Sequence, residues 1–170
     1  MINVANLVTL SRLAIIPVLI YTIQQELYLL SGFFVLLALI SDWLDGIIAR
    51  KTNEVTQHGK LLDPAIDKIF IISVLVAFVE KHYISTYPVF LIVAREFLIT
   101  WLRSVMVNKG IVLPAQLSGK LKTTLQLIAV FLLAIGYIDI GNIVLWLSIA
   151  VAYISAFQYF QIFYKKRAWA

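Results

Sequence analysis

The sequence predicts an all-α, polytopic membrane protein with six transmembrane helices, forming a single domain over residues 1–170. Hydrophobic residues make up 62% of the chain and the mean hydropathy is +0.94, whereas a soluble domain is about 45–50% apolar. A chain this short cannot hide so much apolar surface in its own core, so we expect lipid to surround it. The apolar residues also fall into long runs with short polar connections, the pattern of membrane hairpins.

The six apolar runs reach or nearly reach the roughly 20 residues that a helix needs to cross a bilayer. No basic region precedes the first run and no small-residue cleavage site follows it, so we expect it to stay as a membrane helix rather than a cleaved signal peptide. Because the connections are short, neighbouring helices should be antiparallel. In chain order the runs cover 7–23, 27–48, 61–79, 87–107, 117–138 and 143–163.

Basic residues are concentrated on one side of the predicted hairpins, and on the opposite side only Lys81 is basic. Since cytoplasmic connections carry the excess of Lys and Arg, both termini are predicted to be cytoplasmic. We therefore expect a multi-pass protein of a bacterial-type inner or plasma membrane. The residues on the basic side are Arg50, Lys51, Lys60, Lys109, Lys120, Lys122, Lys165, Lys166 and Arg167.

Composition excludes several kinds of site. The chain has no cysteine, which rules out disulfides and thiolate metal centres, and its two histidines argue against an imidazole zinc site. The formal net charge is +5. In a chain this apolar, anionic lipid or a phosphate is a better partner for that charge than nucleic acid.

Four aspartates lie within the second and third apolar runs, where an uncompensated carboxylate is costly. Asp42 and Asp45 are spaced i, i+3, and Asp63 and Asp67 are spaced i, i+4, so each pair occupies one helix face. Lys68 is the only basic residue near them in these runs. Four carboxylates at similar depth repel one another and need cations. Hard oxygen ligands suit two Mg²⁺ or Mn²⁺ ions, which serve phosphoryl chemistry. The aspartates lie towards the cytoplasmic ends of the two runs, so the site is predicted to face the cytoplasm.

Small residues and one arginine flank the aspartates. Gly46, Ala49 and Gly59 leave room for a ligand, although Gly46 and Ala49 are also typical of close helix packing. Arg50 can neutralise a phosphate or anchor the helix at the membrane interface.

Together these residues resemble the signature of the CDP-alcohol phosphatidyltransferase family, at all eight of its defining positions. The resemblance implies that Asp42, Asp45 and Asp63 bind two metal ions that also hold the CDP pyrophosphate. It implies that Asp67 lies near the metals and acts as general base. The nucleotide would contact Asp42, Gly46, Ala49, Arg50 and Gly59. The signature runs Asp42, Asp45, Gly46, Ala49, Arg50, Gly59, Asp63 and Asp67.

Other segments resemble the branch of this family that makes phosphatidylglycerophosphate. They are the stretch from Asn6 to Arg12, Arg95-Glu96-Phe97, Arg103, and Gly119 to Thr123 with Gln126. Arg95 and Glu96 fall mid-span, so we expect them to face a cavity or each other's helices. A cationic pocket suits an acceptor that carries a phosphate, here sn-glycerol 3-phosphate, with CDP-diacylglycerol as donor. The predicted acceptor-binding residues are Arg103, Lys120, Lys122, Arg95, Thr9 and Arg12.

Alternatives stay open at this point. Arg103, Lys120 and Lys122 also suit plain topology anchors. The same chemistry serves cardiolipin synthases, phosphatidylinositol-phosphate synthases and phosphatidylserine synthases, and an ether-lipid donor is compatible with the sequence. A divalent-cation transporter also carries intramembrane aspartates, but here no acidic group continues a path. A purely structural subunit leaves the aspartates unexplained. The resemblance further implies a homodimer in contact with membrane lipids.

Overall fold

The computed structural model describes residues 4–51, 57–110 and 117–167, and the side chains of 12–41, 65–110 and 117–164. Within the described residues the helices are joined by turns and no strand occurs, which confirms the predicted all-α class. Its six helices are α1 (Val4–Gln24), α2 (Tyr28–Lys51), α3 (Gln57–Glu80), α4 (Thr86–Asn108), α5 (Leu117–Ala134) and α6 (Ile138–Arg167).

Each predicted apolar run corresponds to one helix, and the fifth ends four residues earlier than its run. Gly136 has a φ of 89°, in the left-handed region that favours glycine. The N–H of Tyr137 donates to Leu132 O at 2.9 Å and that of Gly136 to Leu133 O at 3.1 Å. This pair of bonds satisfies the last carbonyl groups of α5, so the helix stops although the sequence stays apolar.

Two tight turns, between α1 and α2 and between α3 and α4, are built in the same way. Glu26 (φ 56°) and His82 (φ 59°) occupy the left-handed position without being glycine. Polar side chains link the two turns. They are Lys81 Nζ with Glu26 Oε1 at 2.6 Å, Gln24 Nε2 with Glu80 Oε2 at 2.9 Å, and the hydroxyls of Tyr28 and Tyr83 at 3.2 Å.

The helices form two compact units. Unit 1 comprises Met1–Ile84 and Val130–Ile138. Within it α1 packs against both α2 and α3, so α1 is the common support of the two helices that carry the aspartates. The most buried apolar side chains of unit 1 include Leu19, Val35, Val74, Leu75 and Phe78.

Unit 2 comprises Ser85–Ala129 and Asp139–Ala170. One hydrophobic cluster of this unit joins α4 to α6 through Ile99, Leu102, Ala156 and Tyr159. Phe160 and Phe163 pack at its edge. The cluster holds α4 and α6 together next to the charged residues of α4.

Two segments of the described chain, Leu117–Ala134 and Ile138–Tyr164, are long and apolar enough to cross a membrane. Arg12–Gln24 and Tyr28–Ser41 are shorter apolar helices. The helix α4 carries charged residues near its middle, Arg95 and Glu96, whereas the charged residues of α6 lie at its two ends. Large apolar side chains are exposed on several helices, which fits an apolar solvent and marks the protein as membrane-associated. Examples are Phe97 (70% exposed), Trp101 (59%) and Phe157 (64%).

Candidate active site

In unit 1, α1 and α3 bring together Arg12 and Asp67. Arg12 Nη1 donates to Asp67 Oδ1 at 2.5 Å, across 55 residues of sequence. The Arg12 side chain is 3% exposed and that of Asp67 is 49% exposed. The buried guanidinium therefore fixes one carboxylate oxygen of Asp67, while the carboxylate as a whole remains accessible.

This ion pair corrects one expectation drawn from the sequence. From the sequence, basic partners of the aspartates were sought only in the same two apolar runs, where Lys68 is the one nearby; Asp67 has a basic partner outside those runs. The partner comes from α1, because α1 packs on α3 and points Arg12 at it. The separation along the chain hides such a partner when only the spacing within one helix is considered.

The other predicted metal and nucleotide residues lie on the helices expected to carry them. Asp42, Asp45, Gly46, Ala49 and Arg50 belong to α2, while Gly59 and Asp63 belong to the first two turns of α3. Their i, i+3 and i, i+4 spacings are therefore true helical spacings. The side chains of these seven residues, and that of Thr9 on α1, lie outside the described residues.

The described geometry of Asp67 is compatible with a carboxylate that coordinates, or lies next to, a divalent ion. An ionised carboxylate has two oxygens and about four acceptor sites, so the bond from Arg12 leaves acceptor capacity. Hard divalent ions prefer carboxylate ligands. The donor set carried by α2 and α3 thus fits the metal ions that the signature implies.

Unit 2 holds a buried charged cluster of Arg95, Glu96 and Lys122. Glu96 Oε1 accepts from Arg95 Nη1 at 2.9 Å and also from Lys122 Nζ. Arg95 reaches α6 as well, where Nε donates to Ala152 O at 3.3 Å and Nη2 to Ser155 Oγ at 3.4 Å. Arg95 thus contacts other helices, as its mid-span position predicts. The cluster thus brings two cations to the same carboxylate oxygen.

Arg103 contacts α6 further along α4. Its Nη2 donates to the Tyr159 hydroxyl at 2.7 Å, and its guanidinium carbon lies 5.1 Å from the centre of the Tyr159 ring. Tyr159 is 2% exposed. Arg103 is itself exposed, but the contact with a buried aromatic ring constrains its guanidinium more than that of a freely solvated membrane anchor.

The two lysines of α5 differ sharply. Lys120 is exposed, as a topology anchor would be. Lys122 is 6% exposed and bonded to Glu96. Residues two apart on a helix point to different faces, so only one of the pair can enter the polar interior of unit 2.

Two contributors in unit 2 were not assigned a role from sequence. Glu96 was expected, with Arg95, to face a cavity or another helix, but it was given no binding role, although an acidic residue mid-span beside an arginine signals an internal charge partner. Tyr159 carries no comparable signal, because an aromatic residue in an apolar helix is indistinguishable from a lipid-facing one until the packing is known.

Comparison with known proteins agrees with the site. Residues 2–154 match the sequence profile described as CDP-alcohol phosphatidyltransferase. A Rickettsia bellii protein named CDP-diacylglycerol–glycerol-3-phosphate 3-phosphatidyltransferase is 37% identical over 170 residues, covering 94% of each chain. A Bacillus subtilis protein of the same name is 31% identical over 182 residues, again covering 94% of each. The Aquifex aeolicus protein so named is 32% identical and covers 83% of this chain and 79% of its own.

The profile match covers most of the chain and includes both aspartate pairs, the Arg95–Glu96 pair and Lys122. The curated relatives extend over nearly the whole length. The chain therefore belongs to the CDP-alcohol phosphatidyltransferase family of enzymes.

Proposed function

We propose that this enzyme transfers the phosphatidyl group of CDP-diacylglycerol to sn-glycerol 3-phosphate, giving phosphatidylglycerophosphate and CMP in phospholipid biosynthesis. The observation that carries the choice of acceptor is the buried cationic cluster of unit 2. Arg95 and Lys122 are both buried, and both donate to Glu96 Oε1. Two buried cations side by side suit an acceptor that brings its own phosphate better than they suit serine. Among the acceptors that carry a phosphate, the names of the relatives from Rickettsia bellii and Bacillus subtilis support glycerol 3-phosphate.

The proposed reaction is an in-line displacement at phosphorus. A hydroxyl oxygen of glycerol 3-phosphate forms a bond to the phosphorus on the diacylglycerol side of the pyrophosphate. The bond from that phosphorus to the bridging oxygen breaks, and CMP leaves with the bridging oxygen. Asp67 takes the proton of the attacking hydroxyl, a role that its exposed carboxylate and its anchored oxygen support.

Divalent metal ions complete the proposed site. Asp42, Asp45 and Asp63, with Asp67 beside them, would hold two Mg²⁺ or Mn²⁺ ions. The ions would neutralise the diphosphate and stabilise CMP as it leaves. Gly46, Ala49, Arg50 and Gly59, together with Asp42, would contact the cytidine nucleotide.

The proposed acceptor-binding residues are Arg95, Arg103, Lys120, Lys122, Thr9 and Arg12. Among the first four, the described contacts favour Arg95, Arg103 and Lys122, which are held by other side chains. Arg12 would then serve both Asp67 and the acceptor, since a guanidinium has five N–H donors.

We further propose that all six helices cross the membrane, with both termini and the active site on the cytoplasmic side. The internal pairing of charges on α4 supports this, because Arg95 and Glu96 need not meet lipid. The exposed aromatic residues Phe90, Phe97 and Trp101 of α4 suit lipid or a second copy of the chain, and we propose a homodimer in contact with membrane lipids.

An acceptor panel tests the proposal. Purified protein receives labelled CDP-diacylglycerol with glycerol 3-phosphate, phosphatidylglycerol, inositol phosphate or serine in turn, and the labelled lipid product is identified. We expect product with glycerol 3-phosphate at the highest kcat/KM. Faster turnover with another alcohol would keep the family chemistry and reject the acceptor. Metal uptake without any CMP-dependent reaction would support the transporter alternative.

A further inference from the structure

Gln126 stands out among the buried polar side chains of unit 2. It is 5% exposed, and its amide nitrogen Nε2 has no hydrogen-bond partner among the residues that the structure describes. Ser148 donates to Leu145 O, and Arg95, Ser155 and Lys122 are joined by the bonds given above. A buried amide donor without a partner is unfavourable in a folded protein, because it has lost its bonds to water and gained none.

The position of Gln126 relates it to the cationic cluster. Gln126 follows Lys122 by four residues on α5, so the two side chains share one face of the helix. Four residues advance the helix by roughly 6 Å. A small polar molecule held by Lys122 can therefore extend along α5 towards the amide of Gln126.

The chemistry of the amide defines what it binds. Gln126 is neutral and offers both donors and an acceptor, which matches a hydroxyl group, itself donor and acceptor. A phosphate is better served by the ammonium of Lys122. We propose that Gln126 hydrogen-bonds the non-reacting hydroxyl at C2 of glycerol 3-phosphate and so determines specificity for this acceptor, an inference that rests on the proposed function.

The test compares glycerol 3-phosphate with 3-hydroxypropyl phosphate, which keeps the phosphate and the terminal hydroxyl and lacks the C2 hydroxyl. In the wild-type enzyme we expect kcat/KM to be higher for glycerol 3-phosphate by roughly 10-fold or more, because the analogue leaves the buried amide unpaired. In Gln126→Met the ratio of the two kcat/KM values should fall close to unity, mainly through slower use of glycerol 3-phosphate.

Gln158→Met is the matched control. Gln158 is an exposed glutamine of α6 whose Oε1 accepts from Ser118 Oγ at 2.8 Å. This variant should keep the wild-type ratio. The thermal midpoint gives a second readout, because Gln126→Met removes an unpaired buried amide and should leave the Tm unchanged or higher, whereas loss of a structural glutamine lowers it.

Equal use of both phosphates by the wild-type enzyme overturns the inference without any variant. A wild-type ratio that persists in Gln126→Met overturns it as well. An enzyme that uses neither phosphate but uses another acceptor refutes the proposed function, and the assignment of Gln126 fails with it.

Discussion

The guanidinium of Arg12 on α1 is bonded to the carboxylate of Asp67 on α3, with Nη1 and Oδ1 2.5 Å apart. Arg12 is almost fully buried while half of the Asp67 side chain is exposed. The buried guanidinium of Arg12 therefore holds the exposed carboxylate of Asp67 in one orientation. That is the arrangement a general base needs, because its geometry must be set before the proton is transferred.

Asp67→Asn should lower kcat by roughly 10²–10⁴-fold, the usual loss for a general base. The amide keeps the shape of the side chain and its carbonyl oxygen, so CDP-diacylglycerol binding should change much less. Single-turnover kinetics with equilibrium binding of the CDP-lipid separates the two effects. If kcat and the affinity for CDP-diacylglycerol fell by the same factor, Asp67 would be only a metal ligand and not the general base.

The partner of Asp67 provides a control for this prediction. If Arg12 acts through Asp67, Arg12→Gln should lower kcat in the wild-type background and cause little further loss in the Asp67→Asn background. Fully additive losses would show that Arg12 acts elsewhere, for example on the acceptor.

Removal of divalent metal should abolish turnover. The diphosphate of the donor and the carboxylates of α2 and α3 repel one another without cations. Activity should vanish in excess chelator and return with added Mg²⁺ or Mn²⁺, while circular dichroism of the protein in detergent stays unchanged. Full turnover in chelator would contradict the two-metal site.

Lys122→Met should raise the KM for glycerol 3-phosphate by roughly 10- to 150-fold, the value of one charged hydrogen bond, and leave the KM for CDP-diacylglycerol nearly unchanged. Lys120→Met should have a smaller effect, because its exposed ammonium is screened by solvent. Steady-state kinetics must be normalised to folded protein in the membrane. Because Lys122→Met also deprives Glu96 of a partner, the double variant with Glu96→Gln separates the loss of the cation from the uncompensated carboxylate. A larger rise in the KM for glycerol 3-phosphate in Lys120→Met than in Lys122→Met would show that the acceptor phosphate binds at Lys120 instead.

Alkaline pH should destabilise unit 1 through Tyr83, in the turn between α3 and α4. Burial, the hydrogen bond with Tyr28 and the nearby Glu26 carboxylate raise the pKa of Tyr83 above its ordinary value of 10.0. A raised pKa in the folded state means that this contribution to stability is complete below pH 10. It is lost progressively as the pH rises from there towards the folded pKa. Thermal unfolding between about pH 8 and about pH 11 should show a steeper decline for wild type than for Tyr83→Phe. Identical slopes would contradict the shift.

Sequence patterns predict the helices of this protein well, because each helix coincides with a long local run of apolar residues. They also single out the four aspartates as candidates, since a carboxylate in such a run is costly unless a cation or an ion-pair partner compensates it. The end of α5 is missed because Gly136 acts through a left-handed turn, which hydropathy does not register. The structure places the signature residues on α2 and α3, as the sequence predicts. The roles of their side chains stay predictions.

Contacts between helices distant in sequence are where the prediction fails. The spacing of residues on α3 cannot reveal that α1 supplies Arg12 to Asp67. Likewise Lys120 and Lys122 look alike in sequence, and only the packing of α5 buries one and exposes the other. Such differences depend on which helix face is turned inward, a property of the whole unit.

The most direct test of the central claim measures both products of one reaction. Purified enzyme with Mg²⁺, unlabelled CDP-diacylglycerol and radiolabelled glycerol 3-phosphate should release CMP and form labelled phosphatidylglycerophosphate in equal amounts. Both should stop on addition of chelator. Release of CMP without label in the lipid would indicate hydrolysis or a different acceptor, and label in the lipid without CMP would exclude the proposed transfer.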